Sequence, residues 1–205
     1  MTVPVLLCDY GGVLTTSLLG AVEQVCRDHG IEHDEFRATI RARRDADDPV
    51  ARLERGEIDT TTFEGQFGAQ LTEALRGRLD GGEFLRLLEP LIRPEPRMLD
   101  ALDLLRKAGV RTALVSNSWS ENYPPAALER FDAVFLSGRL GMRKPDPEIY
   151  RHVLTELGVA PAECCFLDDF EANIATADAL GMRAILHVSV ELTLPQLSRV
   201  FAVGL

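Results

Sequence analysis

Apolar residues gather along the chain in two patterns. Five short runs are apolar nearly throughout: Val3–Cys8, Arg111–Ser116, Ala133–Leu136, Cys164–Leu167 and Arg183–His187. Continuous rather than alternating hydrophobicity is what a strand needs when helices cover both faces of its sheet, so these runs predict buried parallel strands. Between them the apolar positions recur with helical period. Arg97–Ala108 places Met98, Leu102 and Leu105 on one face and stops at Gly109. Pro147–Leu157 has Asp146 as N-cap, proline in the first turn and Gly158 as C-cap. Glu171–Leu180 is rich in alanine and ends at Gly181, and small residues let such a helix lie close on a sheet.

Residues 17 to about 92 break this alternation. Ala21, Val22, Val25 and Cys26 share a helical face, and no strand pattern occurs in the stretch. A strand, a helical insertion and then βαβαβ predict an α/β fold. Its core is a doubly wound, Rossmann-like parallel sheet, with a small α-helical cap inserted after the first strand. The core would comprise residues 1–16 and 93–205, the cap residues 17–92. Within the cap, RARRDADD at 41–48 reads as a solvated helix face. ERGEIDTTTF at 54–63 reads as a turn at Gly56 followed by a helix capped by Asp59.

Composition narrows the function. No apolar run approaches the ~20 residues of a membrane span. The first run has no basic leader and ends in Asp9, unlike a secretory signal. The formal net charge of -10 repels nucleic acid and anionic membranes, so neither is an expected partner. An anionic substrate would need a local positive pocket, and Lys107 and Lys144 are the only lysines. Cys8, Cys26, Cys164 and Cys165 form no CxxC, and the adjacent pair points to opposite faces of a strand. They read as buried free thiols of a reducing, cytoplasmic compartment. The four histidines show no zinc-ligand spacing.

Doubly wound sheets bind ligands outside the carboxyl ends of their strands. There the chain carries Asp9-Tyr10-Gly11-Gly12, then Ser116-Asn117-Ser118, then Lys144 in GMRKPDPEIY, then Asp168-Asp169 in FLDDFEANIA. Three carboxylates around one point repel each other unless a hard cation sits among them, and magnesium takes oxygen ligands. Lys144, the Ser116 hydroxyl and nearby backbone N–H groups suit phosphate oxygens. One carboxylate could attack phosphorus. Each piece alone has an ordinary reading as a turn acid, a loop pair, a helix start or a helix-dipole charge. Their order, each after a strand, carries the functional one.

The segments DYGGV, VSN, RKPDP and LDDFEAN, spanning residues 9 to 173, resemble the motifs of haloacid dehalogenase (HAD) superfamily hydrolases. The likeness is to the helical-cap branch, and within it to small bacterial sugar-phosphate phosphatases of the glucose-1-phosphate type. The resemblance implies a magnesium-dependent hydrolase of a small phosphorylated substrate, working through an aspartyl phosphate. It implies that Asp9 is nucleophile and metal ligand, and that the backbone carbonyl of Gly11 is a second ligand. Ser116 and the Asn117 N–H would hold the transferring phosphoryl group, and Lys144 would neutralise charge between it and Asp9. Asp169 would ligate magnesium, with Asp168 supporting directly or through water and Asn173 behind them.

One position departs from the pattern. Most superfamily phosphatases carry a second Asp where this chain has Gly11, and that residue serves as general acid and base, worth ~10²–10⁴-fold. Three readings follow. The first is a phosphatase for good leaving groups, whose missing base comes from polarised water or from the cap, with Glu54 and Glu57 as candidates. The second is a haloacid dehalogenase-type enzyme without metal, against which Asp168 and Asp169 both stand. The third is a phospho-ligand-binding module with little turnover. Phosphonate hydrolysis would need a cap lysine, and residues 1–106 contain none. Trp119 and Tyr123 are placed either to line the pocket mouth or to pack.

Overall fold

The computed structural model describes residues 4–32, 34, 36–38, 48–119 and 123–205. Strands β1 (Val5–Cys8), β2 (Arg111–Ser116), β3 (Ala133–Leu136), β4 (Cys164–Asp168) and β5 (Arg183–Leu186) form one sheet in the order β3-β2-β1-β4-β5. Every pairing is parallel. Cys8 is in register with Leu114 on one side and Leu167 on the other. The central strand therefore ends where the winding of the sheet reverses, which is where such folds open a crevice.

The helices among the described residues are α1 (Leu18–Asp28), α2 (Pro49–Glu54), α3 (Thr60–Ala74), α4 (Gly81–Leu88), α5 (Pro96–Lys107), α6 (Pro125–Leu128), α7 (Ser137–Leu140), α8 (Pro147–Leu157), α9 (Glu171–Ala179) and α10 (Val190–Phe201). Leu6, Cys8, Leu114, Cys165 and Leu167 face Met98 and Leu105 of α5 and Leu197 of α10. Leu7, Ala113, Val115 and Phe166 face Ile149 and Val153 of α8 and Ala177 of α9. Both faces are covered, which explains the unbroken apolar runs. Cys164 and Cys165 do fall on opposite faces, and all four cysteines are buried free thiols. No helix among the described residues is long and apolar enough to cross a membrane.

The sequence pattern placed the strands to within a residue wherever the structure describes them; Val3 and residues 41–47 of the charged run lie outside the described residues. Asp168 joins β4 because it pairs with Leu186. Asp146 occupies the N-cap of α8, but its side chain caps nothing. Pro147 removes one of the N–H groups that needed a partner. The four-residue α6 and α7 are too short to show a helical period.

Helices α1–α4 share a hydrophobic cluster that includes Val25, Cys26, Phe63, Leu71, Phe84 and Leu88. The chain departs at Thr16 and returns at Arg93 side by side. Thr16 N–H donates to Arg93 C=O (2.8 Å), and Glu95 N–H to Leu14 C=O (2.8 Å). Gly56 turns with φ +70°, and Asp59 Oδ1 accepts from the Thr62 N–H (2.7 Å), as the sequence of this stretch implies. Helices α3 and α4 touch backbone to backbone: a Cβ on Gly81 would lie 1.9 Å from the Gly68 carbonyl oxygen. Gly81→Ala must push the two helices apart and should cost about 1–3 kcal/mol. Gly65→Ala, on the exposed side of α3 with nothing within 4 Å, should gain about 0.5–1 kcal/mol. Urea midpoints of the two variants moving in the same direction would contradict this packing.

Candidate active site

Asp9 follows β1 directly, and its N–H still donates to Leu167 C=O (2.9 Å), so the residue sits at the crest between β2 and β4. Asp168 closes β4 beside it, and Ser116 closes β2. Lys144 enters from the segment between α7 and α8. Its ammonium is 1% exposed and lies 2.7 Å from Asp9 Oδ1 and 2.7 Å from Asp168 Oδ2. The Asn117 side chain holds the lysine backbone as one peptide group pairs with another. Its Oδ1 accepts from Lys144 N–H (2.8 Å), and its Nδ2 donates to Lys144 C=O (2.9 Å).

The second carboxylate oxygen of Asp168 accepts from Phe170 N–H (2.8 Å) and from Asn173 Nδ2 (2.9 Å). Asp168 is thus fully engaged within the protein. Asp169 is not: its Oδ1 is buried and has no partner. Carboxylate oxygens of Asp9, Asp168 and Asp169 lie within 4.8 Å of one another. Burial raises the Asp9 carboxyl to about 6; Lys144 opposes this and Asp168 adds to it. Burial, then Asp9 and Asp168, push Asp169 up to about 7. Burial works against the Lys144 ammonium, but the two acids outweigh it and hold its pKa above the ordinary value.

Three acids against one buried cation leave negative charge in excess. An all-oxygen donor set with an orphaned carboxylate oxygen fits a hard dication such as magnesium. The loop after β1 is built around this group. Gly12 has φ +75°, and a Cβ there would lie 2.1 Å from Asp169 Oδ2. Position 11 is different: a Cβ on Gly11 would meet nothing within 4 Å, and its φ is not positive. The acid missing at position 11 is therefore not kept out by space or backbone.

A cavity of about 310 Å³ opens at this crest, lined by Tyr10, Gly11, Gly12, Ser116, Asn117 and Trp119 among others. Ser116 Oγ lies 2.9 Å from the Tyr123 hydroxyl, and the Tyr123 ring stands edge-on to Tyr10 at 4.9 Å. Burial raises the Tyr123 phenol to about 12, so it stays neutral. Trp119 both lines the cavity and packs on Phe63 of α3 (5.3 Å).

The sequence named Glu54 only as a candidate base. In the structure it is an acceptor with both oxygens in use. Oε1 takes the Trp119 indole N–H (3.0 Å), and Oε2 takes Asn117 Nδ2 (3.2 Å) and Arg143 Nη2 (2.6 Å). Glu57 pairs at the surface with Arg55 (2.5 Å) and Arg52 (3.9 Å). Sequence reading missed the Glu54–Arg143 pair and the side-chain role of Asn117. The only trace of the former is the Arg143-Lys144 doublet, which places a second cation beside the site.

The site therefore sets an aspartate just past the central strand of a doubly wound sheet and ties it, through a buried lysine, to the acid that closes the next strand. The chain belongs to the haloacid dehalogenase-like hydrolase family, whose model matches residues 3–181. Among curated relatives, acyl-CoA dehydrogenase family member 10 of Mus musculus is 32% identical over 67% of this chain, yet the match spans 13% of that protein. Sesquiterpene phosphatase astK of Aspergillus oryzae is 33% identical over 64% of this chain and 68% of its own length. A HAD-like family hydrolase from Porphyromonas gingivalis has the same fold, with TM-score 0.68 at 23% identity over 97% of this chain and 98% of that one. So does a HAD family enzyme from Bacteroides thetaiotaomicron solved with magnesium and inorganic phosphate (TM-score 0.59, 22% identity, 90% and 93% covered).

Glu54→Ala strands the Arg143 guanidinium and two N–H donors in a largely buried place. It should cost about 3–5 kcal/mol, because breaking one side of such a pair leaves an uncompensated charge. A double-mutant cycle of Glu54→Ala with Arg143→Ala, followed by urea unfolding, should give a coupling above ~1 kcal/mol. Strict additivity would mean that the pair contributes nothing.

Proposed function

We propose that this hydrolase is a magnesium-dependent phosphomonoesterase acting on a small phosphorylated metabolite through an aspartyl phosphate on Asp9. The observation that carries this reading is Lys144, buried between Asp9 and Asp168 at 2.7 Å from each, beside the unpartnered oxygen of Asp169. That arrangement keeps Asp9 anionic and aimed while a charged substrate approaches. The phosphatase among the relatives, and the neighbour solved with magnesium and phosphate, are in keeping with it.

Asp9 attacks phosphorus, and the bond from phosphorus to the substrate's alcohol oxygen breaks. The departing alkoxide takes a proton from water. A water then attacks the aspartyl phosphate, the bond from phosphorus to Asp9 oxygen breaks, and inorganic phosphate leaves with the carboxylate restored. Ser116 Oγ turns from Tyr123 to a phosphate oxygen, and the Asn117 N–H holds another. Asp9, Asp169 and the Gly11 carbonyl would hold magnesium, which when bound neutralises phosphate charge that the three acids would otherwise repel. Asp168 fixes Lys144 from behind, and Asn173 fixes Asp168. Residues 17–92 act as a cap over this site. The second hydrolysis step lacks a base at position 11, so it is the slow one.

Asp9→Asn should lower hydrolysis of an aryl phosphate by more than ~10³-fold. Lys144→Ala should cost far more activity than Lys107→Ala, whose side chain sits at the end of α5. Chelation should abolish turnover and magnesium should restore it. Halide release from a haloacid in excess chelator would favour the dehalogenase reading instead.

Gly11→Asp introduces the missing acid where neither space nor φ opposes it. It should raise turnover at least ~10-fold and abolish the build-up of phosphoryl-enzyme in a rapid quench. A folded Gly11→Asp protein with unchanged rate, and no phosphoryl-enzyme trapped in either form, would place the base elsewhere.

A further inference from the structure

The crest cavity must also hold whatever the phosphate is attached to, and its walls are specific about that. Beside the phosphate end they are Tyr10, Leu18, Ile92, Trp119, Tyr123 and Pro124. Among the described residues, most polar side chains of the lining are already engaged. Thr15 Oγ1 accepts from Gly12 N–H and donates to Thr16 C=O. Thr16 Oγ1 accepts from Arg93 N–H and donates to Leu91 C=O. The Asn117 amide is held by Lys144 and Glu54, and the Trp119 N–H by Glu54. With Ser116 given to phosphate, the hydroxyls of Tyr10 and Tyr123 remain among the described lining residues. A sugar ring would bury several hydroxyls against this wall and find few partners, and unpaired buried hydroxyls are costly.

Leu18 and Trp119 are shared with a second cavity, about 160 Å³, enclosed by α1, α3 and α4. Its lining includes Val22, Phe67, Phe84 and Leu88, and Arg37 is its sole charged member among the described residues. Phe170, directly after Asp169, belongs to the same lining and is 38% exposed. Leu18 and Trp119 thus border both the phosphate end and this apolar pocket; they also border a third cavity, about 740 Å³, lined in part by Glu64, Arg86 and Glu89.

Resting on the phosphatase reading, we infer that the substrate is the phosphate monoester of an apolar alcohol, its hydrocarbon passing between Leu18 and Trp119 into the pocket of the insertion. This substrate class differs from the sugar phosphate that motif resemblance suggests. The overall change is ester plus water to free alcohol plus inorganic phosphate. The alcohol leaves by the same apolar route, and the phosphate by the crest.

The test compares three substrates with the 205-residue chain in magnesium: p-nitrophenyl phosphate, glucose 1-phosphate and farnesyl phosphate below its micellar range. The expected result is a kcat/KM for farnesyl phosphate at least 100-fold above that for glucose 1-phosphate. Val22→Asn should reduce kcat/KM for farnesyl phosphate at least tenfold more than for p-nitrophenyl phosphate. Leu19→Gln, in the same lining but 40% exposed and so safe for folding, should act in the same direction. Turnover of the aryl ester with equal or better use of glucose 1-phosphate overturns the inference and leaves the phosphatase reading intact. So does a farnesyl preference that neither variant weakens. No turnover of any of the three overturns the phosphatase reading itself.

Discussion

Two aspartates end adjacent parallel strands at the same level, and one buried ammonium lies between them. The register forces the acids together: Cys8 is opposite Leu167, so Asp9 and Asp168 emerge side by side. Uncompensated, two buried carboxylates this close could not both stay ionised. Lys144 makes the arrangement tolerable, and it works only if its backbone is fixed, since a flexible lysine in a low-dielectric site would fold back or titrate. Asn117 supplies that fixing from the end of β2. The ends of three strands and the segment before α8 therefore depend on one another, and the charge pattern of the crest follows from them. Asp169 is the acid left over, and its lone oxygen is what gives the cluster an appetite for a cation.

The same network reaches the insertion. Glu54, the last residue of α2, accepts from Asn117, Trp119 and Arg143. Two of these three donors lie directly after β2, and the third precedes Lys144. The place where the insertion touches the sheet is therefore the place where Lys144 is held. Gly56 and Gly138 tighten that contact: a Cβ on Gly56 would lie 2.3 Å from the Gly138 carbonyl oxygen. A movement of α2 would be felt at Asn117, and through it at the ammonium. Coupling of this kind needs no long pathway, because a single carboxylate spans it.

Much of this was legible in the chain. Buried parallel strands announce themselves by unbroken apolarity, and the winding rule says which of their ends matters. Asp9, Ser116, Asp168 and Asp169 could be picked out because each stands at or just past the carboxyl end of a strand, and Lys144 because it is one of only two lysines. The roles of Glu54 and of the Asn117 amide could not, because their partners lie 63 or more and 27 residues away along the chain. Neither pair has a periodicity to betray it. The two glycines after Asp9 look alike in sequence, yet one is required by φ and by the Asp169 carboxylate while the other is free. That difference is set by β4, not by the local residues. The apolar pocket beside Leu18 and Trp119 was equally hidden, since its lining comes from seven separated stretches.

The open space at position 11 makes the missing acid a chemical choice rather than a steric one, and it sharpens what the substrate must contribute. Without a general acid the alcohol oxygen leaves poorly, and without a base water attacks slowly. Binding energy from a part of the substrate that does not react can offset such a loss when it is realised mainly in the transition state. A hydrocarbon seated in a dry pocket is a large source of that energy, roughly 25 cal/mol per Å² removed from water. On the proposed reading it would also exclude water, which would strengthen the hold of Lys144 on the charge that develops at phosphorus. A ring of hydroxyls in the same walls would supply neither. On the proposed reading, the glycine at the crest and the apolar lining of the insertion would be two halves of one arrangement, in which the tail of the substrate takes over part of the work of the absent carboxylate.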